Sequence, residues 1–416
     1  MNKHISILFV GLSLFFSSMA QVQLSDSAKI SLMTTSPWSG AIYAVYGHTA
    51  LFVCDDSTGV DLVFNYGFFD SDQPNFMYHF VRGETDYVLG VTSFNNFLKE
   101  YKEKKLEVVK QELNLTQQEK QNLWEALYIN AKPENRGYRY NFLFDNCATR
   151  PRDMVEKYVQ GRIEYPADST NQTFRDLIHE CVASYPWMEF GIDLIIGSGA
   201  DSTINLREKM FLPIYLKDAF DGAKIIKNDT LQYNLVKNST FILKAGNTES
   251  NTGEPEVLEP IYVALALLLL TIIVSVIQKV NVRQTALPII YDTLLFGAAG
   301  IAGLIIFFLM FFSIHPAVNA NWNFVWLNIF SLLFAFLFWV KPLKKLVFLY
   351  HFINFAVLTL FLALWWLIPQ ELPLVGIPFA MSLWIRSGVN IWAAKKKKSQ
   401  KNRYPSAQYL KAAWGQ

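Results

Sequence analysis

Five apolar runs occupy the last third of this 416-residue chain, at about 260–278, 291–313, 323–340, 346–368 and 373–393. Each approaches the roughly 20 residues that a helix needs to cross a hydrocarbon core. Their connections carry charge unevenly. Lys279 and Arg283 follow the first run, Lys341, Lys344 and Lys345 the third, and Lys395, Lys396, Lys397, Lys398, Lys401 and Arg403 the fifth, whereas the loops after the second and fourth runs hold no Lys or Arg. Positive loops stay in the cytoplasm. The segment before the first run is therefore expected outside and the basic tail, 394–416, inside. Trp322, Trp326, Trp365, Trp366 and Trp384 suit interfacial belts or packing, and Arg386, late in the fifth run, is expected to snorkel toward the cytoplasm.

The first residues give the same orientation independently. Lys3 and His4 form a polar start, 5–16 an apolar core, and Ser18-Met19-Ala20 a small-x-small site before Gln21, the pattern of a cleaved secretory signal at 1–20. An exported domain at 21–243 and a polar linker at 244–259, rich in Asn, Thr, Ser, Gly and Glu, would then precede the membrane segments at 260–393. The net charge of +2 comes with no basic stripe outside the membrane flanks, so nucleic-acid binding has no electrostatic support. The three cysteines, Cys54, Cys147 and Cys181, allow either one disulfide with a thiol left over or three free thiols.

Within the exported part, 42–54 and 62–69 are rich in β-branched and aromatic residues around a polar turn at 55–59, which predicts a β-hairpin. A third strand is expected at 87–91. Thr116 and Glu119 form a capping-box pair ahead of Leu123, Trp124, Leu127 and Tyr128 at helical spacing. A further helix carries Met154, Val155, Tyr158 and Val159 on one face. The pattern is α+β.

Cys147, in Asp145-Asn146-Cys147-Ala148-Thr149-Arg150, opens this last helix, and His48, in Tyr46-Gly47-His48-Thr49, lies on the first strand of the hairpin. A thiol becomes a useful nucleophile when a nearby base takes its proton. His79 sits among aromatics, and His179 lacks metal-ligand spacing, so His48 is the candidate base. Asn65 or Asp61 on the paired strand could orient its ring, with Asn65 preferred. Pro151 argues that the regular helix starts near Thr149, just past the thiol. A buried, inert Cys147 is the bland alternative.

These motifs resemble the permuted papain-like, NlpC-type thiol fold, in which the His strand precedes the Cys helix. With the membrane segments added, the chain more closely resembles the Lnb-type lipoprotein N-acyltransferases. The matching residues are Tyr46-Gly47-His48-Thr49, Phe64-Asn65-Tyr66-Gly67, Phe80-Val81-Arg82-Gly83, Asp145-Asn146-Cys147-Ala148-Thr149-Arg150 with Arg152-Asp153, Ser313-Ile314-His315-Pro316 and Asn321-Trp322-Asn323. The fold implied is a permuted papain-like domain, an antiparallel sheet plus helices, followed by an all-α five-helix transmembrane bundle.

The resemblance implies that Cys147 takes an acyl chain from a membrane phospholipid as a thioester and passes it to the N-terminal amine of a diacylated lipoprotein. It implies His48 as base and Asn65 as third member, at the bacterial inner membrane, with no cofactor and no metal. Asn146, Arg150, Arg152, Arg82, Tyr66 and His315 are expected near the substrate. Arg150 and Arg152 would clamp a phosphate, unless they bond to backbone or Asp153. The competing expectations are a membrane-anchored papain-like amidase or endopeptidase of the cell wall, for which five spans are superfluous, and a non-enzymatic membrane sensor.

Overall fold

The structure is a computed structural model and describes residues 22–72, 74–227, 231–245, 258–280 and 286–403. The expected signal peptide, most of the linker, Arg283 and the end of the basic tail lie outside the described residues. The chain divides into two units, one of residues 1–181, 203–254 and 314–316 and one of 182–202, 255–313 and 317–416.

The first unit is built on a seven-stranded sheet. In chain order the strands of this unit are β1 (Lys29–Thr35), β2 (His48–Asp55), β3 (Val60–Phe68), β4 (Asp86–Ser93), β5 (Val108–Leu113), β6 (Gly137–Arg139), β7 (Arg162–Glu164), β8 (Lys224–Lys227), β9 (Leu231–Asn234) and β10 (Val236–Leu243). The large sheet runs β10-β5-β1-β2-β3-β4-β6, every neighbouring pair antiparallel, and β7-β8-β9 make a small second sheet. The helices are α1 (Phe76–Arg82), α2 (Phe94–Glu103), α3 (Gln117–Asn130), α4 (Thr149–Tyr158) and α5 (Phe174–Val182), then α6 (Pro186–Ile195) in the second unit, and α7 (Leu206–Lys209) and α8 (Pro213–Gly222) back in the first.

Side chains alternate across the strands and so fill two cores. Ile30, Leu32, Leu51, Val53, Phe64, Tyr66 and Leu89 face α3, α4 and α8 through Trp124, Leu127, Val155, Leu216 and Phe220. Met33, Ala50, Phe52, Val63 and Val108 face α2 through Phe97 and Tyr101. Each such large apolar side chain contributes about 1.5–3 kcal/mol by leaving water. The Thr116–Glu119 capping box is present and starts α3 as expected. The expected hairpin forms around its polar turn, with one difference. Its first strand begins at His48, because 42–44 form a 3-10 turn and Gly47 takes φ +77°. That left-handed step turns the chain onto the sheet only one residue before the histidine.

The second unit is helical. After α6 it contains α9 (Pro260–Val280), α10 (Leu287–Phe312), α11 (Ile329–Leu337), α12 (Lys344–Ala363) and α13 (Gly376–Arg403). The five expected runs are thus five helices, but they are not equivalent. Pro260–Val280, Leu287–Phe312 and Lys341–Ala363 are long and apolar enough to cross a membrane, while Trp322–Leu337 is a shorter apolar stretch. A 3-10 turn at Trp322–Val325 opens the third run, and the α-helix starts only at Ile329. Trp326 and Trp365 are buried in the helical core, whereas Trp366 is exposed.

Arg386 does not snorkel. It is fully buried, and its Nε and Nη2 donate to Asp292 Oδ1 at 2.5 Å and Oδ2 at 3.0 Å. Its remaining donors reach Ser275 Oγ at 3.0 Å and Gln278 Oε1 at 2.5 Å, and Asn390 Nδ2 also donates to Asp292 at 2.7 Å. One arginine therefore joins α9, α10 and α13. The earlier expectation failed because an acid in the second run supplies a partner that the fifth run alone does not show.

Candidate active site

The site forms where two strands of the large sheet part. β2 and β3 pair from Asp55↔Val60 to Leu51↔Phe64 and no further, although β2 continues back to His48 and β3 on to Phe68. Gly67, at φ +110°, lies beyond that last pair, at an irregularity in the β3–β4 pairing between Tyr66 and Phe68. The Cys147 segment enters the fork so created. Thr49 Oγ1 donates to the Cys147 carbonyl, and the Thr49 N–H, left without a β3 partner, points at the sulfur. A Cβ on Gly67 would stand 3.6 Å from His48 Cε1 and 3.7 Å from Cys147 Cβ, so both side chains border this glycine.

The motif around the cysteine builds its own frame. Asn141 and Asp145 pair through backbone bonds of 3.0 and 2.9 Å, closing a tight loop. Asn146 Oδ1 accepts the Ala148 and Thr149 N–H groups at 2.8 and 2.9 Å, while its Nδ2 donates to the Phe142 and Phe211 carbonyls at 2.6 and 2.9 Å. That side chain satisfies two of the N–H groups that a helix start leaves open. The regular helix begins at Thr149, as Pro151 required. Arg150 forks onto Asp145 through Nε at 2.5 Å and Nη2 at 2.7 Å and lies 3.7 Å over the Tyr138 ring.

His48 and Asn65 share the face of the sheet that α2 covers. Their side chains are hydrogen-bonded, His48 Nε2 to Asn65 Oδ1, and the imidazole also bonds the Cys147 sulfur. With Nε2 held by an acceptor, Nδ1 is the nitrogen left for the thiol proton. The register decides between the two orienting candidates. Asp61 lies opposite Cys54, six residues along the strand from His48, or about 20 Å at about 3.4 Å per residue. Asn65 is in place and Asp61 is not.

The electrostatics favour charge separation. Burial pushes the Cys147 thiol up, but the His48 imidazole and the N–H groups of Thr49 and Cys147 outweigh it and hold it below its ordinary value. Burial pushes His48 down, and the sulfur and Asn65 more than reverse that, so the histidine titrates above its usual range. Both shifts favour thiolate and imidazolium, the reactive form of a thiol.

All three cysteines are free thiols. Burial, with Asp56 close by, raises Cys54, and burial next to Glu180 pushes Cys181 up to about 11. At neutral pH, limiting iodoacetamide should therefore modify Cys147 first, and His48→Gln should slow that step roughly tenfold or more. Peptide mapping reads the order, and equal labelling of the three thiols would contradict these shifts.

The expected substrate-binding residues behave differently. Asn146 is fully bonded inside the protein, so it frames the thiol and has no group to offer a ligand. Arg150 is held by Asp145, and Arg152, buried, reaches Asp153 Oδ1 at 2.8 Å and the Arg207 carbonyl at 2.7 Å. Neither guanidinium fork is open for a phosphate. Tyr66 is buried and donates to Asn130 Oδ1 at 2.6 Å. Arg82 pairs with Glu84 at 2.7 Å. His315 Nε2 lies 2.8 Å from the Phe80 carbonyl. Sequence reasoning missed Thr49 and Gly67. A glycine inside a strand pattern is a signal for a bulge, whereas nothing local marks Thr49.

Two family comparisons match this chain. Residues 19–180 match the Lnb N-terminal periplasmic domain, and residues 252–398 match the Lnb transmembrane domain. No curated protein and no solved structure matches. The fold and these matches define a membrane protein with a periplasmic N-terminal domain. The chain belongs to the Lnb type, with a periplasmic N-terminal part and a C-terminal membrane part.

Proposed function

We propose that this protein is a lipoprotein N-acyltransferase of the inner membrane, with Cys147 as nucleophile, His48 as base and Asn65 as the group that orients His48. The observation carrying this reading is the bonded trio Asn65–His48–Cys147, inside the segment that matches the Lnb periplasmic domain, in a chain that continues into a membrane domain.

The Cys147 thiolate attacks the ester carbonyl carbon of a phospholipid. The tetrahedral oxyanion is met by backbone N–H groups, for which those of Cys147 and Thr49, bonded to the sulfur before the reaction, are the candidates. The ester C–O bond then breaks, the leaving glycerol oxygen takes the proton from His48, and lysophospholipid departs. In the second half, His48 accepts a proton from the α-amine of a diacylglyceryl-cysteine as its nitrogen attacks the thioester. The amide forms and the thiolate is released. Both substrates are anchored in lipid, so membrane segments raise their effective concentration at the thiol. The five helices α9–α13 are read as five crossings with the tail in the cytoplasm, on the strength of their charged connections.

The test is mass spectrometry of lipoprotein N-termini from cells lacking this protein. They should carry only the diacyl form, and complementation with the wild-type gene should restore the third chain. Persisting N-acylation that the wild-type gene does not alter would contradict the reading.

A further inference from the structure

Beside the site lies a cavity of about 380 Å³ lined by His48, Asn65 and Gly67 together with residues of two chemical kinds. Tyr43, Phe68 and Phe69 give it an apolar aromatic wall, and ring contacts continue this wall from Phe69 to Phe76 at 5.7 Å and on to Phe80 at 5.9 Å. Glu100 of α2 and Lys104 just past its end, with Trp38 and Tyr101, give it an ionic wall. The thiol chemistry uses neither wall.

The ionic wall is built from α2 with its C-terminal end and from the segment that holds Trp38. Tyr101 anchors α2 in the core on the same sheet face as His48, which brings Glu100 and its i+4 neighbour Lys104 to the cavity. Lys104 Nζ lies 2.6 Å from Glu100 Oε1 and 4.6 Å over the Trp38 ring. The Trp38 ring lies across Gly40, where any Cβ would overlap it. The result is one negative and one positive group side by side, about half and a quarter exposed.

We propose that this cavity is the headgroup subsite of the acyl donor and that it selects a phosphodiester bearing a terminal ammonium, with Lys104 on the phosphate and Glu100 on the ammonium. A zwitterion laid across such a pair meets each charge with its opposite, whereas a headgroup with only a negative charge meets the Glu100 carboxylate. The aromatic wall then receives the first part of the acyl chains and holds the ester near the thiol. This subsite rests on the acyl-transfer reading above.

The experiment measures acyl-enzyme formation by full-length protein in vesicles, with phosphatidylethanolamine, phosphatidylglycerol and uncharged diacylglycerol as separate donors. Wild type should favour phosphatidylethanolamine over phosphatidylglycerol. Glu100→Gln should reduce that ratio about fivefold, the scale of one partly exposed charge contact, and Glu100→Lys should invert it. Lys104→Gln should lower the use of both phospholipids relative to diacylglycerol. Lys99→Gln, which removes a charge from an exposed position of the same helix outside the cavity, should leave all ratios at wild-type values. Ratios unchanged within twofold in the three Glu100 and Lys104 variants would overturn the subsite while leaving acyl transfer standing. Absence of acyl-enzyme from every donor in the wild type would overturn acyl transfer and the subsite together.

Discussion

Cys147→Ala is expected to abolish transfer of an acyl chain from phospholipid to a lipoprotein amine, a loss on the order of 10⁶-fold, the scale seen when a covalent nucleophile is removed. Without sulfur no thioester forms, and the amine would have to attack an unactivated ester directly. His48→Ala should cost about 10²–10⁴-fold, because the thiol would lose the imidazole that stabilises its anion and the intermediate's proton carrier. The two substitutions together should cost no more than Cys147→Ala alone, since both act on one step. An additive double variant would show that His48 serves some other step. The variants are informative because neither side chain holds the sheet together. Both stand half-buried at the fork, while the cores on either face are made by other residues.

Asp292→Ala is expected to be the most damaging substitution in the membrane part. It leaves the fully buried Arg386 guanidinium without its anion, with only Ser275 and Gln278 still in reach. Breaking a buried pair from one side costs about 3–5 kcal/mol, and a bare charge within a helical membrane core is at least as unfavourable. Thermal unfolding of the detergent-solubilised protein should show a large drop for Asp292→Ala. Removing both charges, as in Asp292→Leu with Arg386→Met, should recover most of it, because apolar residues of similar volume replace a buried pair at little cost. Equal instability of the single and double variants would mean that the polar atoms are needed for more than neutralising each other.

The parts of this molecule that repeat a local rule could be read directly. The capping box, the hairpin turn, the onset of α4 after Pro151 and the apolar membrane runs each follow from a few neighbouring residues. The closeness of His48 to Cys147 could be anticipated from residue type and order, although 98 positions lie between them. What could not be read was the assignment of partners. Arg150 and Arg152 look like free phosphate ligands until Asp145 folds back onto one and the Arg207 carbonyl, 55 residues on, meets the other. Asn146 looked like a site residue and is one only by framing the thiol. The choice of Asn65 over Asp61 needed the strand register. Thr49 acquired its place because the β2–β3 pairing ends at Leu51↔Phe64, a tertiary event that no residue beside Thr49 marks. Arg386 is hidden from its own run for the same reason, since its partner Asp292 stands on a different helix.

One sulfur, held between His48 and the Thr49 amide, is expected to accept a fatty acyl chain. Intact-mass analysis of the purified wild-type protein after incubation with phospholipid vesicles, without acceptor, tests it most directly. The mass should rise by one acyl chain, mapped to the peptide containing Cys147 and removed by neutral hydroxylamine, as a thioester must be. A protein that stays at its unmodified mass, or carries the chain on Cys54 or Cys181 instead, would contradict it.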